Sequence, residues 1–217
     1  MAGLCKTMET VDVALVQEPY CLRGSIACLR KSFVLLHEPS PSAAIVTRNA
    51  TIPIFYHSNL STRRVACATI GTGRNKYVLV SVYCQLTEDL KEILAPLNQI
   101  LDQLGDERII IGGDINAHSQ LWGDPEDDGR ANEFLQFVHA KGLFIINNPD
   151  SLPTFDAPVG QSWVDITCCN GRSLRSTTGW NVSGYSSLSD HAYIFYSLGI
   201  AGNVEEGCTK YDTKKVD

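Results

Sequence analysis

Eight short apolar runs, each closed by turn-forming residues, recur along the chain: VDVALVQ, SAAIVTR, RRVACATIG, KYVLVSVYC, RIIIGG, LFIINN, SWVDITCC and HAYIFYSLG. Their β-branched and aromatic content and their shortness mark them as strands. Two stretches between them carry a different period. In TEDLKEILAPLNQILDQLG, Leu90, Ile93, Leu94, Leu97, Ile100, Leu101 and Leu104 recur at helical spacing, with Thr87 expected as N-cap, Gly105 as stop and a kink at Pro96. In ANEFLQFVHAKG, Phe134, Leu135 and Val138 form a stripe that Gly142 closes, and His139 is expected at the surface. Many strands with two amphipathic helices inserted among them are most simply buried as two packed sheets with helices outside, an α/β (α+β) architecture.

With 217 residues, 44% of them hydrophobic and 19% charged, the chain fits one domain with a large core. That domain is expected over residues 1–200, followed by a polar tail at 201–217, where the apolar pattern ends. No run approaches the roughly 20 apolar residues of a membrane helix, and MAGLCKTMET lacks the apolar core of a secretion signal, so the expectation is an intracellular protein without a membrane partner. Eight cysteines include the adjacent pair Cys168 and Cys169 and the near-terminal Cys5 and Cys208, with no zinc spacing, which points to reduced, mostly buried thiols. A formal net charge of −6 argues against a protein that holds nucleic acid by a broad basic surface.

The stretch IIIGGDINAHSQLWGD runs an apolar strand into Gly112-Gly113 and then presents Asp114, Asn116 and His118 at alternating positions, where polar side chains lie at a sheet rim. Other strands carry groups that a core does not accommodate cheaply. DVALVQEPY ends in Glu18, VLVSVYC carries Tyr83, SWVDIT places Asp165 between apolar neighbours, and SLSDHAYIFY starts with Asp190-His191. A lone carboxylate such as Asp165 is costly to bury unless paired, and histidine gains by that pairing.

Taken together, these groups suit phosphodiester hydrolysis. Attack on an anionic diester needs a hard cation, and magnesium takes one or two carboxylates while keeping its waters. Glu18 and Asp190 are the candidate ligands for Mg2+, with Mn2+ as the alternative. His191, held by Asp165, can donate to a non-bridging oxygen or share in proton transfer, Asp114 can orient and deprotonate water, and Asn116 can set its amide against the phosphate. No hydroxyl or thiol nucleophile paired with a base stands out.

In order along the chain, VQEP, GGDINAHSQLWG, SWVDIT and SLSDHAYIFYSL resemble the motifs of the DNase-I-like endonuclease/exonuclease/phosphatase superfamily. The D-x-N-A-H-S-x-L-W-G form, followed by DDGRANEFLQFVHAKGLFIINN and PTF, resembles specifically the endonuclease domain of non-LTR retrotransposons, over about Val11 to Leu198. The resemblance implies a four-layer sandwich in which Glu18 binds metal and Tyr83 lies on the phosphate side. It implies that Asp114 and Asn116 form the G-D-x-N pair, that Asp165 orients histidine, and that Asp190 and His191 form S-D-H. It assigns no role to His118 or Trp122. It further implies a domain that nicks target DNA, works in the nucleus, and leaves a 3′-hydroxyl for a reverse transcriptase domain in the same polypeptide.

The same resemblance implies a strand bearing an asparagine, and a helix, ahead of VDVALVQEP, where only about ten residues stand here. The first strand and most of the first helix are therefore expected to be missing, and nicking is expected to be weak. Two other readings stand beside the nuclease: an impaired remnant that keeps the fold, and a phosphatase or phosphodiesterase of the same superfamily.

Overall fold

The structure, a computed structural model, describes residues 4, 7–30, 32–48, 52–185 and 187–199. The tail expected at 201–217, Cys5 and Cys208 lie outside the described residues. The first half holds strands β1 (Val13–Gln17), β2 (Cys21–Leu22), β3 (Ser25–Ile26), β4 (Val34–Leu36), β5 (Ala43–Thr47), β6 (Ile54–Tyr56), β7 (Val65–Ile70) and β8 (Tyr77–Tyr83). Helix α1 (Lys91–Leu104), β9 (Ile109–Asp114), helix α2 (Gly129–Ala140) and β10 (Leu143–Ile145) follow. The chain then forms β11 (Phe155–Ala157), β12 (Gly160–Ser162), β13 (Asp165–Asn170), the single-turn α3 (Gly171–Leu174), β14 (Thr177–Val182) and β15 (Ile194–Leu198).

Six strands make the main sheet in the order β10-β13-β9-β8-β7-β6, with β8 and β9 parallel and the other pairs antiparallel. Strand alternation divides its side chains between two cores. Val65, Cys67, Val78, Val80, Val82, Ile109 and Ile111 face the helices, meeting Ile93, Leu97 and Ile100 of α1 and Phe134 and Val138 of α2. Ala66, Ala68, Leu79 and Ile110 face the other way. They pack on a three-stranded sheet, β1-β5-β4, through Leu15, Ile45 and Leu36, and on the β14-β15 pair through Tyr196 and Leu198. Leu4, Met8 and Phe33 cover the outer face of the three-stranded sheet against Val46 and Ala14. The expected sandwich is therefore present, with its core on both faces of β8 and β9.

All eight apolar runs hold strands, but three details differ from expectation. Helix α1 starts at Lys91 rather than after Thr87, because the Asp89 carboxylate accepts the Lys91 N–H (2.9 Å). Asp165 opens β13 instead of lying inside it, and β15 begins at Ile194, three residues after His191. The second helix is as expected, with Gly142 at φ 62° past its end and His139 exposed. Cys21, Cys67, Cys84, Cys168 and Cys169 are free thiols, the last four buried. Among the described residues no helix is long and apolar enough to cross a membrane.

Candidate active site

The ends of several elements converge on one side of the sandwich. Parallel pairing brings Tyr83 and Asp114 side by side at the ends of β8 and β9, and antiparallel pairing sets Asp165, the first residue of β13, opposite Asp114. Gly113 makes the close approach feasible: a Cβ there would stand 1.9 Å from the Val82 carbonyl oxygen. The chain leaves β1 through Glu18, whose left-handed backbone (φ 45°) is fixed by its N–H bonding to the Ser42 carbonyl (2.9 Å). An isolated bridge from Phe155 to His191 delivers the histidine ahead of β15.

Asp114, Asp165 and His191 offer one ligand atom each within 4.8 Å of one another. His191 Nδ1 lies 2.8 Å from Asp165 Oδ2, and its Nε2 lies 4.0 Å from Asp114 Oδ2. The Phe155 ring packs edge-on against the imidazole, with centroids 5.1 Å apart. Both carboxylates are buried. Burial first, and then the Asp165 charge, push Asp114 up to about 7. Burial alone would lower His191, but the Asp165 hydrogen bond and the charges of Asp165, Asp114 and Glu18 outweigh it and push the imidazole up to about 9.

Asn116, at φ 48°, folds back on Asp114: its backbone N–H donates to Oδ1 (2.8 Å) and its amide to Oδ2 (3.1 Å) and to the Cys84 carbonyl (3.1 Å). The amide expected against a phosphate is thus directed at Asp114, which it orients. Burial, followed by the neighbouring Glu18 carboxylate, pushes the Tyr83 pKa up. Asp190 stands apart: it is exposed, and its carboxylate lies outside the group of three. Its backbone carbonyl accepts the Asp156 N–H (2.8 Å) and so ties the loop to the β11–β12 hairpin.

His118 and Trp122 belong to the loop that supports Asn116. Trp122 is fully buried and donates Nε1–H to the Ala117 carbonyl (3.3 Å). His118 Nδ1 lies 3.0 Å from Asp124 Oδ2, an oxygen that also accepts the Trp163 N–H at 3.0 Å.

Three supporting residues were not singled out from the sequence. Thr154 Oγ1 accepts the Asp165 N–H (3.1 Å), and Asn147 donates to the Asp165 carbonyl (2.9 Å). Arg130 carries no acidic partner among the described contacts. Its guanidinium donates to the carbonyls of Ile115 (2.9 Å), Asn116 (2.9 Å) and Glu88 (2.6 Å), and so joins the loops that follow β8 and β9. A signal for it existed: a cation in the first turn of a helix faces the positive end of the helix dipole and needs another reason to be there.

Residues 77–195 match the family described as Endonuclease-reverse transcriptase. The chain is 26% identical over 198 residues to the "Retrovirus-related Pol polyprotein from type-1 retrotransposable element R1" of Bradysia coprophila, covering 85% of this chain and 20% of that protein. It is also 26% identical over 190 residues to the "Putative 115 kDa protein in type-1 retrotransposable element R1DM" of Drosophila melanogaster, covering 83% and 18%. The chain thus spans about a fifth of the length of these relatives. Among solved structures, the endonuclease domain of TRAS1, a telomere-specific non-LTR retrotransposon, superposes with a TM-score of 0.82 at 27% identity, covering 92% of this chain and 90% of that one. The AP endonuclease LMAP from Leishmania major shares the fold at 12% identity, with a TM-score of 0.68, covering 92% and 82%. Because the match over residues 77–195 spans more than half of the chain, the chain belongs to the Endonuclease-reverse transcriptase family.

Proposed function

We propose that this chain is a divalent-metal-dependent DNA endonuclease domain that hydrolyses one phosphodiester bond of target DNA in the nucleus. The 3′-hydroxyl it leaves would prime reverse transcription by a polymerase domain of the same polypeptide. The observation that carries the reading is the Asp165–His191–Asp114 group, which combines a histidine held on a carboxylate with a second buried carboxylate beside it.

The donor set fits a hard cation. Asp114 and Asp165 confine two carboxylates in a buried site, the arrangement a cation relieves, and the Glu18 carboxylate stands close enough to act on Asp114, His191 and Tyr83. Glu18 would hold magnesium or manganese, with Asp190 as the second ligand proposed from the sequence. Such an ion, when bound, neutralises phosphate charge and stabilises the oxygen that leaves. Tyr83, beside Asp114 at the strand ends, lies on the phosphate side of the site. His191 is held largely protonated near neutral pH and donates from Nε2 to a non-bridging phosphate oxygen. Asp114, raised to about 7 and fixed by Asn116, accepts the proton of the attacking water.

A supercoiled-plasmid assay tests the reading. Magnesium should convert supercoiled to nicked circles whose ends a polymerase extends directly, and chelator should abolish the reaction. Release of phosphate from monoesters without any nicking would overturn it in favour of a phosphatase.

A further inference from the structure

Tyr83 and Asp114 stand at the C-terminal ends of the parallel strands β8 and β9, and the opposite ends of the same two strands carry a second group of charges. A concavity of about 370 Å³ lies there, and apart from Gly73 every residue lining it is charged: Arg74, Lys76, Asp106, Glu107, Arg108 and Arg172. They come from the β7–β8 turn, the α1–β9 loop and the turn after β13. The seven residues of β8 separate this concavity from the candidate active site by about 20 Å.

Its carboxylates are already taken. Glu107 pairs with Lys76 (2.6 Å) and Asp106 with Arg172 (3.1 Å). Arg74 and Arg108 have no acidic partner among the described residues, so two uncompensated guanidinium groups share one concavity in a chain of net charge −6. Arg108 is also held in place: it is half-buried, lies over the Tyr77 ring 5.5 Å from the centroid, and donates to the Arg74 carbonyl. Its own carbonyl accepts the Val78 N–H (2.7 Å), and the Asn170 side chain donates to the Glu107 carbonyl (2.7 Å) and accepts the Ile109 N–H (3.2 Å). On the other side, Gly71 at φ 81° closes the turn that presents Arg74; a Cβ there would stand 2.1 Å from the Asn75 carbonyl oxygen. A guanidinium fixed in this way loses little freedom on meeting an anion, and its planar fork suits phosphate oxygens.

We propose that this concavity is a second nucleic-acid contact, in which Arg74 and Arg108 each take one phosphate of a single strand. The strand is held by its backbone. No apolar or aromatic wall is offered to a base, since the buried Tyr77 ring is covered by Arg108, so binding is independent of sequence. Asp106 and Glu107 in the same wall disfavour an acidic peptide, whose side chains bring only more carboxylates, whereas a nucleic-acid strand brings amino and hydroxyl donors. The distance from Asp114 keeps this contact away from the candidate reacting bond, so it adds affinity and not rate. The proposal rests on this arrangement of charge and does not depend on the nuclease reading.

The probe is a single-stranded DNA decamer of mixed sequence, titrated into the full chain in metal-free buffer across a salt series. Backbone amide shifts at residues 73–76 and 106–108 are read by NMR, which separates this contact from any binding near Asp114. Those amides should move together, with a slope of about 1.4 in log K against log salt for two phosphates of a single strand. Arg74→Gln alters an exposed side chain and should weaken the local affinity about threefold or more at low salt while lowering the slope by about 0.7. Asp106→Asn frees Arg172 and should tighten it by about twofold. Failure of either variant to move the affinity in its stated direction would overturn the proposal, as would shifts that leave these amides unmoved. Pyrophosphate or a glutamate decamer, matched in total charge and binding here as tightly as the DNA, would overturn it in favour of a small-anion or acidic-peptide site.

Discussion

The Asp165 carboxylate holds His191 Nδ1 at 2.8 Å while the backbone of Asp165 is itself fixed from two sides, its N–H by Thr154 and its carbonyl by Asn147. The imidazole orientation therefore rests on one oxygen atom, and the strand does not. Asp165→Asn should keep the fold, because both backbone bonds survive, and should reduce nicking by about a hundredfold or more through loss of the orienting charge. Unchanged melting by circular dichroism with collapsed nicking is the expected pair of results. A variant that cleaves like its parent would show that the pairing does not serve the reaction.

The second prediction concerns pH. Asp114 is raised from 3.8 to about 7, so the stability it contributes is complete below 3.8 and is lost as pH rises through 7. His191 is raised from 6.5 to about 9, so its contribution is complete below 6.5 and is lost as pH rises through 9. Both act in the same direction, and the metal-free protein should melt at a lower temperature at pH 8.5 than at pH 6. Asp114→Asn removes the buried charge and should flatten that slope while abolishing nicking. Magnesium should raise the melting temperature of the parent at pH 8.5 by more than that of the variant, which keeps Glu18 and Asp190 but lacks the buried charge that a cation relieves. Equal pH slopes for the two proteins would contradict the assignment.

Arg130 is expected to act as a positioning residue. Its donors span carbonyls on two loops that carry Tyr83 and Asn116, a geometry suited to a planar guanidinium and not to a point-charge ammonium. Arg130→Lys should lower kcat by about tenfold with little change in KM, because the loops misplace Asp114 and Tyr83 rather than lose contact with substrate. Equal loss in KM and kcat, tracking a drop in melting temperature, would indicate a purely structural role.

The elements readable from the chain were those in which pattern and packing agree. β8 and β9 are apolar on both faces, so KYVLVSVYC and RIIIGG announce themselves, and α1 and α2 carry clear stripes. The strands not anticipated are short or polar. β14 reads TTGWNV and stays in place by pairing with β15, while β11 and β12 form a hairpin whose worth lies in bringing Phe155 against His191. At the site, Asp165 and His191 could be paired in advance because an apolar-flanked carboxylate needs a partner. The amide of Asn116 turning back onto Asp114 depends on a left-handed backbone that no local spacing encodes, and the hold of Arg130 on three carbonyls depends on loops far apart in sequence.

The last prediction is that DNA binding is weak and governed by few phosphate contacts. The chain carries a net charge of −6, and its site-side cations are largely engaged: Arg64 pairs with Glu88 and Glu92, and Arg130 is spent on carbonyls. Arg63 is exposed and stands next to the site, since its carbonyl accepts the N–H of Ser42, whose own carbonyl accepts the N–H of Glu18. Each phosphate neutralised contributes a slope of about 0.9 in log K against log salt. Arg63→Gln should therefore weaken binding at low salt and reduce the slope by about one such unit, without altering the melting temperature. Fluorescence anisotropy of a labelled duplex across a salt series, in calcium to hold off cleavage, measures both quantities. Tight binding that persists at high salt, or a slope indifferent to Arg63, would mean that the domain grips DNA by contacts other than these.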